Sequence, residues 1–174
     1  MLNRQFILVL TMISGMSATM LLQAASICPG NISETTPTAQ FTINSNATVM
    51  DNKTGLVWMQ CPLGQSLSGG VCSGNALTYT WEGALIAATS SSFGGNSDWR
   101  LPNIKELASI AEQACYAPAI NEVVFSATPL NWFWSSSPAV ENDPKAWTFD
   151  FNNGVDQMQI KDLSGYVRLV RLGQ

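Results

Sequence analysis

Apolar residues along this chain change their spacing several times, and each change marks an element. Residues 6–22 are almost continuously apolar, softened only by residues such as Ser14, Gly15 and Ser17. Residues 41–44, 48–50 and 56–59 are short extended runs. Asp51-Asn52-Lys53-Thr54-Gly55 stands before the last of them, and Asn and Gly tolerate the positive φ of a turn, so 41–60 reads as a hairpin. From residue 80 the spacing becomes helical. Thr80 is placed to cap a helix in which Trp81, Ala84, Leu85 and Ala88 share one face; Gly83 weakens it by up to about 1 kcal/mol relative to Ala. Pro102 stops the preceding chain, Asn103 is placed as an N-cap, and Glu106 completes a capping-box pattern. Ile104, Leu107, Ala108 and Ala111 then form a buried stripe. Alternation returns at 132–136 and at 146–151, where Trp147, Phe149 and Phe151 share a face. A turn at Asn152-Asn153-Gly154 leads into 155–160, and residues 166–171 end the pattern. Strands, two helices, then strands predict an α+β fold, not a repeating βαβ unit.

The first apolar run has a different meaning. Arg4 precedes it, and Gln23-Ala24-Ala25-Ser26 follows with the small residues that a signal peptidase needs, which places cleavage after Ala24. Its length of about 17 residues falls short of the roughly 20 that span a bilayer. The chain therefore divides into a signal peptide at 1–24, an irregular segment at 25–40 and one domain at 41–174. No transmembrane segment is expected after cleavage. Export places the protein in the periplasm, at the cell surface or in the medium.

Charge narrows the partners. The chain carries 12 acidic and 8 basic residues; removing Arg4 with the signal peptide leaves a net charge of −5. Nucleic acid is bound through clustered Lys and Arg, and no such cluster exists here. Neutral sugars, proteins and cations suit this balance better. Histidine is absent, which removes imidazole bases, Ser-His and Cys-His nucleophile pairs and His-ligated zinc. Cys28, Cys61, Cys72 and Cys115 all lie beyond the cleavage site, and four thiols in an exported chain suggest two disulfides. Three pairings are possible. Cys61 and Cys72 bracket a Gly-rich loop whose closure contributes about 3 kcal/mol in the chain-entropy model, which leaves Cys28 for Cys115. A metal site or free thiols are the alternatives.

Several strings resemble a known family. They are Asp51-Asn52-Lys53-Thr54-Gly55-Leu56-Val57-Trp58 and Asp98-Trp99-Arg100-Leu101-Pro102-Asn103-Ile104-Lys105-Glu106-Leu107, followed by Pro118-Ala119-Ile120-Asn121, Trp134-Ser135-Ser136-Ser137, Trp147-Thr148-Phe149-Asp150-Phe151 and Tyr166-Val167-Arg168-Leu169-Val170-Arg171. In this order they resemble the DUF1566 family, named also after the C-terminal domain of the Legionella collagen-like adhesin. The resemblance implies a C-type-lectin-like or formylglycine-generating-enzyme-like fold: loop-rich and disulfide-stapled, with first and last strands paired and two helices packed on short antiparallel sheets. It also implies recognition of saccharides at a surface. The Glu-Pro-Asn, Gln-Pro-Asp and Trp-Asn-Asp signatures of calcium-dependent lectins are absent. No cysteine follows Cys115, so the active-site thiols of formylglycine-generating enzymes are missing as well.

Among candidate sites, Trp99, Arg100, Pro102, Asn103 and Glu106 read as a structural motif, with Glu106 capping a helix and Arg100 holding a carboxylate or carbonyls. Trp58, Trp81, Trp99 and Trp147 fall on core faces. Glu141, Asn142, Asp143, Asp150, Asn152, Asn153 and Asp156 form an oxygen-rich set suited to calcium or to sugar hydroxyls, with solvated turns as the plainer explanation. Trp134, at a loop-to-strand edge beside Trp132, could stack on a sugar ring. The expectation is a non-catalytic recognition domain for glycans. Its alternative is a structural or protein-interaction subunit of a surface protein, envelope or appendage assembly; a formylglycine-generating-type enzyme comes last.

Overall fold

A computed structural model of the chain describes residues 25–140 and 144–173; the predicted signal peptide lies outside the described residues. The first sheet is antiparallel and runs β1 (Phe41–Ile43), β2 (Thr48–Asp51), β3 (Leu56–Met59), β11 (Val170–Leu172). In the second the order is β6 (Thr78–Tyr79), β10 (Gly165–Tyr166), β7 (Trp132–Pro138), β8 (Lys145–Asp150), β9 (Val155–Ile160), with β10 parallel to β7. A two-stranded hairpin, β4 (Ser66–Ser68) and β5 (Val71–Ser73), occupies the loop expected between Cys61 and Cys72. Asp51 explains its own turn. One oxygen of its buried carboxylate accepts from the Lys53 N–H and the Gln40 amide, both at 3.0 Å, and the other accepts from the Thr54 hydroxyl at 2.6 Å. Gly55, at φ +73°, then starts the return of the chain toward β3.

The α+β, C-type-lectin-like expectation is corrected here. The architecture is predominantly β, and its two α-helices are short: α1 (Trp81–Thr89) has nine residues and α2 (Ile104–Ser109) has six. They do not pack as a pair beneath the sheets. Ala84 and Ala88 of α1 lie with Trp134 and Ala146, whereas Leu107 of α2 lies with Phe133, Phe149 and Phe151. Successive side chains of a strand point to opposite faces, so the helices cover opposite faces of the five-stranded sheet. The stripe predicted for α2 also fails at its end. Ala108 is exposed, and Ala111 has left the helix to bridge Ile120. Alternation on β8 is likewise partial, with Phe149 and Phe151 buried and Trp147 only half-buried.

The predicted last strand, 166–171, is two strands joined by a crossing. Tyr166 pairs with Phe133 and Thr78 in one sheet, and Val170 pairs with Trp58 in the other. Between them the Leu169 and Val167 carbonyls accept from the Met59 and Leu63 N–H groups at 3.0 and 2.9 Å. Arg168 lies at this crossing with no exposed surface. Its guanidinium donates to the Met59 carbonyl at 3.0 Å, to the Gln60 carbonyl and to the Thr128 hydroxyl at 2.8 Å. The Phe125 and Phe133 rings lie 4.9 and 6.0 Å from it. These partners are neutral, and burial pushes the guanidinium pKa down to about 9, still charged at neutral pH. Gly165 opens the crossing because a Cβ there would fall 1.9 Å from the Trp132 ring.

Removing the Arg168 side chain takes the donor from the Met59 and Gln60 carbonyls and leaves a cavity. Arg168→Ala is therefore expected to lower unfolding free energy by about 3–5 kcal/mol, read from urea denaturation of the oxidised protein.

Candidate functional site

An open cleft of about 540 Å³ lies between two loop regions that are distant in sequence. Gln65, Gly74, Asn75 and Ala76 form one wall. Pro118, Glu122 and residues 127–130 form the other, with Tyr166 between them. Each wall is fixed by identifiable bonds. The Gln65 amide donates to the Gly74 carbonyl at 3.2 Å, and the Leu77 N–H donates to the Leu63 carbonyl at 2.8 Å. Gly64, at φ +91°, must be glycine: a Cβ would meet the Asn75 carbonyl oxygen at 2.6 Å and the Leu77 nitrogen at 2.8 Å. A disulfide joins Cys61 to Cys72, and the Cys72 N–H donates to the Ser126 hydroxyl at 2.9 Å, tying one wall to the other. On the far wall Thr128 donates to the Phe125 carbonyl at 2.8 Å while it accepts from Arg168. Ala127 and Ala117, both non-glycine residues at positive φ (54° and 52°), hold strained turns in this region.

The lining combines amides, a hydroxyl, a phenol, prolines and the half-exposed Leu130. Among the described residues that line it, Glu122 is the charged one. Uncharged donors and acceptors beside an aromatic ring and apolar patches suit a polyhydroxylated neutral ligand better than an anion.

A family model describing the Lcl C-terminal domain matches residues 47–171, which include every residue of this cleft. The chain belongs to the Lcl C-terminal domain family. No curated protein matches it. Membership is consistent with a surface, adhesin-like role, and the disulfides with export. Among the described residues of this Lcl C-terminal domain, no helix is long and apolar enough to cross a membrane.

Of the predicted oxygen-rich set, Asp150, Asn152, Asn153 and Asp156 lie among the described residues. Glu141, Asn142 and Asp143 lie outside the described residues. Asp150, Asn152 and Asn153 lie at the end of β8 where Asp150 pairs with Val155. Asp150 accepts from the Asn152 N–H at 2.8 Å and its carbonyl accepts from the Gly154 N–H at 2.8 Å, so it shapes the turn. Asn152 and Asn153 are exposed, and the Asn152 carbonyl accepts from the Ala117 N–H at 2.7 Å. Asp156 follows on β9, paired with Phe149, and lines a shallow hollow with Lys105 and Phe149. No group of three or more Cys, Asp or Glu among the described residues is arranged to hold a metal. Trp134 is fully buried, with its indole N–H on the Tyr79 carbonyl at 2.8 Å and its ring edge-on to Trp132 at 5.0 Å. It has no face to offer a sugar.

In the string from 98 to 107 the Asp98, Trp99, Arg100 and Glu106 side chains are taken up in bonds within the fold. Arg100 and Glu106 form a two-point ion pair at 2.7 and 2.6 Å, while Asn103 and Glu106 form a reciprocal capping box. Burial alone would raise the Glu106 pKa; the Arg100 and Asn103 hydrogen bonds overcome it and hold the carboxyl below its usual range. Trp99 is buried with its N–H on the Phe93 carbonyl at 2.9 Å, and the buried Pro102 accepts from the Ser136 N–H at 2.7 Å. Asp98 is held low by its hydrogen bond from Arg171 at 2.7 Å.

Sequence reading had no signal for the cleft itself, because its walls are separated by some fifty residues. It also passed over Glu112, which clamps the N-terminal segment. The buried Glu112 carboxylate accepts from the N–H groups of Thr35, Thr36 and Ala114 at 2.8–3.1 Å and from both threonine hydroxyls at 3.0 Å. A second disulfide, Cys28 to Cys115, anchors the same segment. Desolvation pushes the Glu112 pKa up, and the hydrogen bonds from Thr35, Thr36 and Ala114 more than offset it, leaving the value below the ordinary 4.5. A carboxyl whose folded value is depressed stabilises the fold above its unfolded pKa and loses that contribution as pH falls through the folded one. The urea midpoint is therefore expected to fall as pH drops below about 4.5, and to fall less in Glu112→Gln.

Proposed function

We propose that this Lcl C-terminal domain is an exported, non-catalytic recognition module that binds neutral saccharides in the cleft between residues 65–76 and 118–130. One observation carries the reading: a rigidly held open cleft lined by amide, hydroxyl and phenol groups, with a carboxylate as its charged group and no imidazole in the chain. Sugar hydroxyls both donate and accept, which matches Gln65, Asn75 and Glu122, while Tyr166 and Leu130 offer apolar contact to the less polar face of a ring. Calcium is not required by this chemistry.

A glycan-array screen of the oxidised mature chain, run with and without chelator, tests the reading. Binding to uncharged glycans that survives chelator and weakens at least tenfold in Asn75→Ala is the expected outcome. Binding abolished by chelator would move the site to a cation-dependent surface. Failure to bind any glycan, together with recovery from native envelopes in a defined protein complex, would replace the reading with that of an assembly subunit.

A further inference from the structure

The residues just after the predicted cleavage point are already seated in the fold. The Ser26 N–H and hydroxyl both donate to one Glu122 oxygen, at 2.5 and 2.7 Å. Ile27 forms an antiparallel bridge with Tyr116, and Cys28 is disulfide-bonded to Cys115. Ala25, exposed and directly before Ser26, lines a pocket of about 230 Å³ with Glu34, Glu112 and Glu122. Among its described lining residues there is no Lys or Arg. Three carboxylates that close to one chain position suit a cation.

We infer that the occupant is the chain's own new N-terminus: processing between Ala24 and Ala25 creates an α-ammonium that pairs with Glu122 and fixes the first residues of the mature protein. The reaction is hydrolysis by a membrane endopeptidase of the export machinery. The Ala24–Ala25 C–N bond breaks, the hydroxyl of water joins the Ala24 carbonyl, and the remaining hydrogen goes to the Ala25 nitrogen. That amine then takes up the proton released by the new carboxyl. In the uncleaved precursor the same nitrogen is a neutral amide and has no charge to offer. The titratable groups that line the pocket with Ala25 are Glu34, Glu112 and Glu122; Glu112 is already engaged by Thr35 and Thr36, and Tyr116 bridges Ile27. Glu122 lines both this pocket and the recognition cleft, so processing also sets the charge balance at the cleft rim.

Intact mass and amine labelling test the inference on the exported, oxidised chain. The mass should correspond to a first residue of Ala25. The α-amine should titrate above its ordinary range, because neighbouring carboxylates favour its charged form. Acetic anhydride at pH 7.5 should therefore label it about 5- to 10-fold more slowly than in Glu122→Gln. If Glu122→Gln does not fold, a chain prepared with one Gly before Ala25 serves instead, and its displaced amine should label at the ordinary rate. A first residue other than Ala25, or equal labelling rates in the native chain and its variants, would overturn the inference. Neither readout involves glycan binding, so it stands or falls separately from the recognition cleft.

Discussion

The buried guanidinium of Arg168 is the constraint around which the rest of this fold is arranged. The last stretch of chain must leave a parallel pairing in one sheet and enter an antiparallel pairing in the other, and no regular ladder can supply every hydrogen bond at such a crossing. The carbonyls of Met59 and Gln60, where β3 ends, take their donors from Arg168 instead. A lysine would not replace it, since the bonds come from two separate guanidinium nitrogens, Nη1 to the two carbonyls and Nη2 to Thr128, and an ammonium is a single point donor. The cost of burying the charge is limited by the carbonyl dipoles and by the Phe125 and Phe133 rings.

From that junction the functional surface follows. Arg168 fixes Thr128, and Thr128 fixes the turn around Ala127. The Cys61–Cys72 disulfide and the bond from Cys72 to Ser126 then bring the hairpin of β4 and β5 against that turn. Tyr166, two residues before Arg168, lies between the walls. The cleft is thus a product of the crossing, not of any one loop. The Cys28–Cys115 bridge and the Glu112 clamp extend the same rigidity to the N-terminal segment. In the chain-entropy model a loop of that length contributes about 4–5 kcal/mol.

What could be read in the sequence was local. The Asp51 turn, the capping box of Asn103 and Glu106, the turn after β8 and the start of α1 each depend on residues within five positions of one another. The observed disulfide pairing is also the one that closing the short Gly-rich loop favours. What could not be read depends on sequence separation. Periodicity told that Ala84 and Leu107 face a core, yet not that they face opposite sides of the same sheet. Trp134 stands beside polar residues in sequence and reads as an edge, but Ala84 and Ala88 of α1 pack over it and the Tyr79 carbonyl takes its N–H. An arginine amid the apolar residues Val167, Leu169 and Val170 was the one available sign of a buried charge.

The central claim is that recognition resides in the cleft held by Arg168 and the two disulfides. Backbone amide shift mapping of the oxidised mature chain, titrated with a neutral oligosaccharide selected on an array, tests it most directly. The account predicts shifts concentrated at Asn75, Thr128, Leu130 and Tyr166, with the turn from Asp150 to Asp156 unchanged. Shifts confined to that turn, or none anywhere at saturating ligand, would contradict it.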